Sequence, residues 1–425
     1  MENTKKKKVV ITFCEAGQGH IVTAQAIMES LKEKYSELVD VEPVYIFRDA
    51  KSKALRKYGE FSVNEVLRAN KDKYRLFMQM LAMKILGETT SLRFVFSTIF
   101  SQVKKDLTRD FIDMHADAIV STYFVPHYVA CSAKKRGLIK SKIITYNPDH
   151  NCHGWWDRRG DLFINNNPIA TEQAIKKHFK KDKVKTVNFL ARKAIVDCNE
   201  SKEYFREKYG IDKNKFAIIL ADGAYAAARL EEYTDMLLTI DLPLTIVAIC
   251  GKNNKLLEKY NKIKENLPPN ITLMPLGFQT AIHELYKACD LFITKAGPNA
   301  ITDCMFMNTP VLTNFYSGTI EKTTNQLITE KYKTGIYCPD IKKAKLLIES
   351  YIKNPSLLDE MRENTKQFDK NKNGADEIAD YIIKCLFEDE EKQALENKNY
   401  WFWNHCKLWY NYKKIILIFT NSAPV

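Results

Sequence analysis

The sequence predicts an α/β protein built from two Rossmann-like domains, each a parallel sheet with helices on its faces. Three observations predict it. The chain has 425 residues, enough for two domains at roughly 100–200 residues each. Two blocks of alternating short apolar strands and helical segments follow one another. Between them Arg192, Lys193, Asp197, Asn199 and Glu200 interrupt the apolar pattern. We therefore expect one domain over residues 1–195, a second over 196–386, and an aromatic, basic tail over 387–425.

The elements follow in order. Val9–Cys14 is a β-branched run that ends at a glycine-rich turn. A helix is expected from about Ile21 to Lys34, with Ile21, Ala24, Ile27, Met28 and Leu31 on one stripe. Strands are expected at Val39–Phe47, Ala118–Ser121, Lys142–Tyr146 and Asp161–Ile164. The second block places strands at Phe216–Ala221, Thr245–Cys250, Ile271–Met274, Leu291–Thr294 and Val311–Asn314. Helices fall between these strands, and three more close the block near 340–352, 355–367 and 375–386. Short apolar strands of this kind are buried on both faces of a parallel sheet.

Charge is unevenly spread. Residues 1–200 hold 35 Lys and Arg against 23 Asp and Glu, a net of +12, and residues 201–425 hold 30 against 29, a net of +1. One domain is therefore expected to face a polyanion. No nucleic-acid recognition motif accompanies the charge, so nucleic acid is not the expected partner. The ten cysteines form no CxxC pair, which excludes a zinc ribbon or a redox pair. No run approaches the roughly 20 apolar residues that span a bilayer. Residues 66–105 are basic and greasy, with eight Lys and Arg against two acids. Basic and aromatic residues on amphipathic helices suit an anionic membrane surface, and a core helix with solvated charges fits the same pattern. The tail adds Trp401, Trp403 and Trp409 with lysines and no acid after residue 397, a composition suited to a bilayer interface.

Four stretches carry chemistry. Glu15-Ala16-Gly17-Gln18-Gly19-His20 joins a strand to a helix, where free N–H groups favour an anion or a developing negative charge. Val22 stands where a dinucleotide fingerprint needs its third glycine. Pro148 through Trp156 joins Asp149, His150, Cys152 and His153 to the pair Trp155 and Trp156. One cysteine between two histidines makes a poor metal site, and an aromatic, polar loop suits a sugar or an amphipathic acceptor. Leu291–Asp303 runs from a strand through Lys295 and Gly297 to a helix starting at Pro298, and places Asp303 within reach of a ribose diol. Ser317–Asn325 is a second such loop, and two helix starts facing one cleft make a diphosphate cradle.

In this order the four stretches resemble the glycosyltransferase family of monogalactosyldiacylglycerol synthases and bacterial diacylglycerol glucosyltransferases. The N-acetylglucosaminyl transferase of peptidoglycan synthesis is a more distant relative. The resemblance covers about residues 8–385. It implies a GT-B fold, two Rossmann-like domains with parallel sheets facing across a cleft, the first for the acceptor and the second for a UDP-sugar. The family's glycine-rich loop ending in His is matched by Gly17, Gly19 and His20, and its Cys-His-x-x-Trp by Cys152, His153 and Trp156. Its interdomain charged core keeps only Arg192. Its Gly-Phe is matched by Gly277 and Phe278, and its Thr-Lys-x-Gly turn by Thr294, Lys295 and Gly297. Its Gly-Gln-Glu loop resembles Gly318, Glu321 and Asn325 with about two residues added. The glycine-rich turn of the second domain is reduced to Gly223. The family's helix carries Thr and Glu where this chain has Ala300 and Asp303.

The resemblance implies an inverting transfer of a hexose from UDP-glucose or UDP-galactose to diacylglycerol or a glycosyl-diacylglycerol, at the cytoplasmic face of a membrane. His20 and Asp149 are the expected catalytic residues. Arg192, Gly223, Gly277, Phe278, Thr294, Lys295, Gly297, Asp303, Gly318, Glu321 and Asn325 would bind the donor. Gly17, Gly19, His153, Trp155 and Trp156 would bind the acceptor. No metal or cofactor is expected, the UDP-sugar being a substrate. Two alternatives stay open: transfer to another lipid carrier such as a polyprenyl-linked acceptor, and a degenerate GT-B protein that binds nucleotide or membrane without transfer.

Overall fold

The computed structural model describes residues 6–14, 18–69, 89–226, 229–315 and 319–396. Gly17 and Gly318, residues 70–88 of the greasy basic stretch, and the aromatic tail from residue 397 lie outside the described residues.

The first sheet holds β1 (Lys7–Phe13), β2 (Val39–Tyr45), β3 (Ala118–Ser121), β4 (Lys142–Asn147), β5 (Leu162–Asn165) and β6 (Val184–Thr186). Its order is β2-β1-β3-β4-β5-β6, parallel throughout. The second sheet holds β7 (Phe216–Ala221), β8 (Leu244–Gly251), β9 (Ile271–Gly277), β10 (Leu291–Lys295), β11 (Val311–Phe315) and β12 (Gly335–Tyr337). Its order is β12-β11-β10-β7-β8-β9, also parallel throughout. The expected doubly wound architecture is therefore present twice. β6 and β12 escape a sequence reading because each is a three-residue edge strand.

β7 and β8 are buried along their whole length. Each sheet divides a core in two, with Val9, Ile11 and Ala118 on one face of the first sheet and Val10, Ile119 and Ile143 on the other. In the second sheet Ala217 and Ile219 face one core, and Ile218 and Leu220 face the other. Strand order reverses between β1 and β3 and again between β7 and β10. Loops leaving the carboxyl ends of strands at such a reversal splay apart and open a crevice.

The chain crosses between the sheets twice. In the first crossing Val187 and Leu190 pack into the first core, and Phe189 and Ala191 pack into the second. The return crossing is bonded to it. The Asn373 side chain accepts from the Ala191 N–H at 2.9 Å and donates to the Ala191 carbonyl at 2.9 Å. The Gly374 N–H donates to the Phe189 carbonyl at 3.1 Å. The helix Gly374–Glu396 then packs Ile378, Ile382 and Ile383 into the first core. Ser30 donates to Asp376 at 2.5 Å and Tyr35 to Asp380 at 2.6 Å, fixing the helix against Gln18–Tyr35. Chain order puts residues 374–386 with the second domain, but in space they belong with the first sheet. No helix among the described residues is long and apolar enough to cross a membrane.

Gly374 lies so close to the Asn188 carbonyl that a Cβ would collide with it. Gly374→Ala should therefore destabilise the chain by about 1–3 kcal/mol, read as a lower midpoint in denaturant unfolding. An unchanged midpoint would show that the two crossings are not this tightly apposed.

Candidate active site at the interdomain cleft

The first half of the site forms at the carboxyl edge of the first sheet. His20 sits in the first turn of the helix Gln18–Tyr35, and its Nδ1 is 2.8 Å from the Thr122 carbonyl just past β3. A carbonyl only accepts, so Nδ1 carries the proton and Nε2 keeps its lone pair. Burial holds the imidazole below its ordinary value, with the Thr122 contact opposing, so the ring is neutral near pH 7. Tyr123 meets it edge-on at 5.2 Å.

Buried asparagines pin the loop after β4. Asn147 donates to the Asn151 carbonyl at 2.9 Å, Asn166 to the Pro148 carbonyl at 3.2 Å, and Asn167 to the His150 carbonyl at 3.0 Å. The loop so fixed carries Asp149, whose carboxyl is pushed up to about 7 by burial first and by the Glu321 carboxylate second. His153 Nε2 lies 3.9 Å from Asp149 Oδ2. Burial drives His153 down to about 3, with His20 and Lys177 adding to the effect. Trp155 is half-buried against Phe124, with ring centroids 4.9 Å apart. Trp156 corrects the expectation. It is 1% exposed, stacked on His153 and packed on Phe163, so it shapes the wall and offers no face to an acceptor.

The second half forms at the carboxyl edge of the second sheet. Asp222, just past β7, accepts from the Lys295 N–H and the Arg229 N–H, both at 2.8 Å. Lys295 Nζ pairs with Glu321 at 3.1 Å. Burial pulls this ammonium down, but the Glu321 and Asp222 carboxylates outweigh it and leave it above its ordinary value. Helices start at Pro298, after Gly297, and at Thr319, both at the same edge, where a helix start favours negative charge. Gly223 has φ 72°, a turn that only glycine adopts without strain. Gly277 ends β9, and Phe278 beyond it is exposed. Lys252 Nζ lies 5.7 Å from the ring centres of both Phe278 and Tyr225.

Three donor-site expectations change in detail. Thr294 is buried and donates to the Ala221 carbonyl at 2.6 Å, so it fastens β10 to β7 and does not face a ligand. Arg192 and Asp303, expected on a diphosphate and a ribose, pair with each other at 2.6 Å. Asn325 is oriented by Thr313, which donates to its Oδ1 at 2.6 Å, and its buried Nδ2 has no hydrogen-bond partner among the described residues.

The two halves touch. His150 reaches from the first domain to Thr324 Oγ1 at 3.1 Å and to Thr302 Oγ1 at 3.4 Å. Gly19 approaches Asn299 so closely that a Cβ would collide with its amide. Asp149 and Glu321 face each other closely enough for one charge to shift the other. His20, Asp149, His153, Lys295 and Glu321 thus line one cleft. Sequence reasoning assigned no role to His150, Asp222, Tyr225 or Asn165–Asn167. The run of three asparagines directly after a strand was the visible signal.

Residues 225–384 match the Glycosyltransferase family 28 C-terminal domain. The chain is 23% identical over 333 residues to the monogalactosyldiacylglycerol synthase of Spinacia oleracea, covering 74% of this chain and 60% of that protein. It is 22% identical over 411 residues to monogalactosyldiacylglycerol synthase 3 of Arabidopsis thaliana, covering 92% and 84%. The chain spans about 60% of the length of the Glycine max and Spinacia oleracea relatives it matches. Among solved structures, Acinetobacter baumannii MurG aligns over 89% of this chain and 100% of its own, with TM-score 0.57 and 13% identity. The S. aureus MnaA–UDP co-structure aligns over 89% and 97%, with TM-score 0.57 and 15% identity. The resemblance carried by the motifs is borne out: the fold is GT-B, and residues 225–384 are similar to the C-terminal domain of family 28 glycosyltransferases.

Proposed function

We propose that this chain is an inverting glycosyltransferase that moves a hexose from UDP-glucose or UDP-galactose to the hydroxyl of diacylglycerol or a glycosyl-diacylglycerol. It works on the cytoplasmic face of a membrane. The observation that carries this reading is the cleft: a neutral imidazole with a fixed lone pair on one side, and Lys295 with two helix starts on the other. The names of the curated relatives support the diacylglycerol class.

On this reading the acceptor hydroxyl gives its proton to His20 Nε2 while its oxygen bonds to the anomeric carbon. The bond from that carbon to the diphosphate oxygen breaks on the opposite face, and UDP leaves with the electron pair. Transfer in one displacement inverts the anomeric centre. Lys295 and the helix starts at Pro298 and Thr319 meet the charge that develops on the diphosphate. Asn325 Nδ2 is a further donor for it. Asp149, when ionised, offsets the positive charge that His20 gains. Phe278, Tyr225 and Gly277 form the surface for the base. A second reading, nucleotide binding without transfer, draws on the Arg192–Asp303 pair, which engages two residues expected on the donor.

The deciding experiment incubates the protein with labelled UDP-glucose or UDP-galactose and vesicles containing diacylglycerol, then separates the lipids. Labelled glycolipid supports the proposal. UDP release without lipid product points to another acceptor, and UDP binding without release points to the second reading. His20→Ala should lower turnover about 10²-fold or more. A carboxyl pushed up to about 7 ionises as pH rises through that value, so kcat/KM should climb through pH 7 and then level. In Asp149→Asn that limb should vanish, leaving a low rate. A wild-type profile flat between pH 6 and 8 would remove Asp149 from the mechanism.

A further inference from the structure

His150 belongs to the first domain by its backbone and to the second by its ring. Its carbonyl accepts from Asn167 at 3.0 Å, which fixes the loop that also carries Asp149. The residue is 1% exposed. Nε2 is 3.4 Å from Thr302 Oγ1, and Nδ1 is 3.1 Å from Thr324 Oγ1. Phe189 of the first crossing meets the ring edge-on at 5.3 Å. Thr302 and Thr324 stand on different helices, Pro298–Phe306 and Thr319–Gln326, whose starts lie at the proposed diphosphate site. One imidazole from the first domain thus bridges both donor helices of the second.

These hydrogen bonds have a defined direction. The Thr302 hydroxyl donates to the Pro298 carbonyl at 3.0 Å, so towards His150 it accepts. Nε2 therefore carries the ring proton. Burial drives the imidazole down to about 3 and keeps it neutral, so Nδ1 retains a lone pair and takes the Thr324 hydroxyl proton. His20 holds the opposite tautomer, with its proton on Nδ1. Asp149 directly precedes His150, and Glu321 lies in the first turn of the helix that carries Thr324. The bridge therefore also sets the spacing between these two carboxyl groups.

We propose that His150 is a positioning residue of the transferase site, holding the two donor helices in fixed relation to each other and to the Asp149 loop. The inference rests on the UDP-sugar reading and adds the residue that makes the two domains act as one site. A diphosphate binds best to groups that need no ordering when it arrives. Without the ring, the nucleotide itself would have to align the two helix starts.

The test measures UDP affinity calorimetrically in the full chain, for wild type, His150→Leu, His150→Gln, Thr302→Val and Thr324→Val. Leu fills space and brings no polar atom, whereas Gln presents an acceptor and a donor at one end. His150→Leu should weaken UDP binding about tenfold, and His150→Gln should recover most of the loss. Each threonine variant should weaken binding in the wild-type background and add little in the His150→Leu background, the non-additivity expected of one network. Nitrogen NMR of the wild type should show Nε2 protonated and Nδ1 unprotonated at His150. The other tautomer, or wild-type UDP affinity in a correctly folded His150→Leu, would overturn the assignment. If His150→Leu does not fold, the threonine variants decide, and wild-type affinity in both overturns it equally. A wild type that makes glycolipid, with variants of unchanged UDP affinity, retains the transferase and removes the bridge. Weakened UDP binding in the variants, with no transfer to any acceptor, retains the bridge and removes the transferase. A wild type that does not bind UDP removes both.

Discussion

The cleft depends on one constraint: the two chain crossings between the sheets are hydrogen-bonded to each other. Asn373 holds both backbone groups of Ala191, and Gly374 lies directly against Asn188. Val187 and Leu190 are then committed to one core and Phe189 and Ala191 to the other, so neither sheet turns without moving apolar residues in the other. Parallel sheets already gather their functional loops at one edge. The fixed crossings turn those two edges toward each other, and His150 and the Gly19–Asn299 contact mark where they meet.

Bringing the edges together dries the groups between them. Dehydration keeps His20 and His153 neutral and keeps the Asp149 proton to about pH 7. This arrangement works against stability. A carboxyl whose folded pKa lies above its unfolded value binds more proton in the folded state, so stability falls as pH rises from about 4 toward 7. Lys295 shows the opposite balance, because two carboxylates beside it outweigh its own burial. A dry cleft with an uncharged base on one wall and a compensated cation on the other favours charge that develops during reaction over charge already present.

The sequence made the strands legible because parallel strands buried on both faces read as short apolar runs with sharp ends. The loops after them were legible because glycine, proline and hydroxyl residues cluster there. Side-chain direction was not legible. Trp155 and Trp156 are adjacent and alike, yet one is half-buried and the other sits in the core. Thr294 lies within a recognisable turn, but its hydroxyl faces the next strand. Arg192 and Asp303 are 111 residues apart, and only the folded linker shows that they meet. The helix Gly374–Glu396 has an apolar stripe that any core would accept, so its pattern does not say which sheet it covers. Asp222 and the asparagines after β5 look like ordinary turn residues until their backbone partners are known.

The uneven charge gains a physical meaning from this arrangement. The second half is nearly neutral, which does not prevent anion binding, because helix starts and Lys295 supply positive potential at the edge itself. The excess of the first half lies on lysines and arginines spread over its surface, and salt screens such charges beyond about 10 Å. They act strongly only on a surface that comes into contact. A basic residue at an anionic membrane contributes about 1 kcal/mol, and exposed side chains such as Phe61, Phe94 and Ile99 would contribute about 1–2 kcal/mol each if buried in lipid. Neither source alone holds a protein of this size on a bilayer. Under the proposed function the two together would give a reversible attachment, which suits a protein that takes an acceptor from the bilayer and meets a soluble nucleotide-sugar in the same cleft.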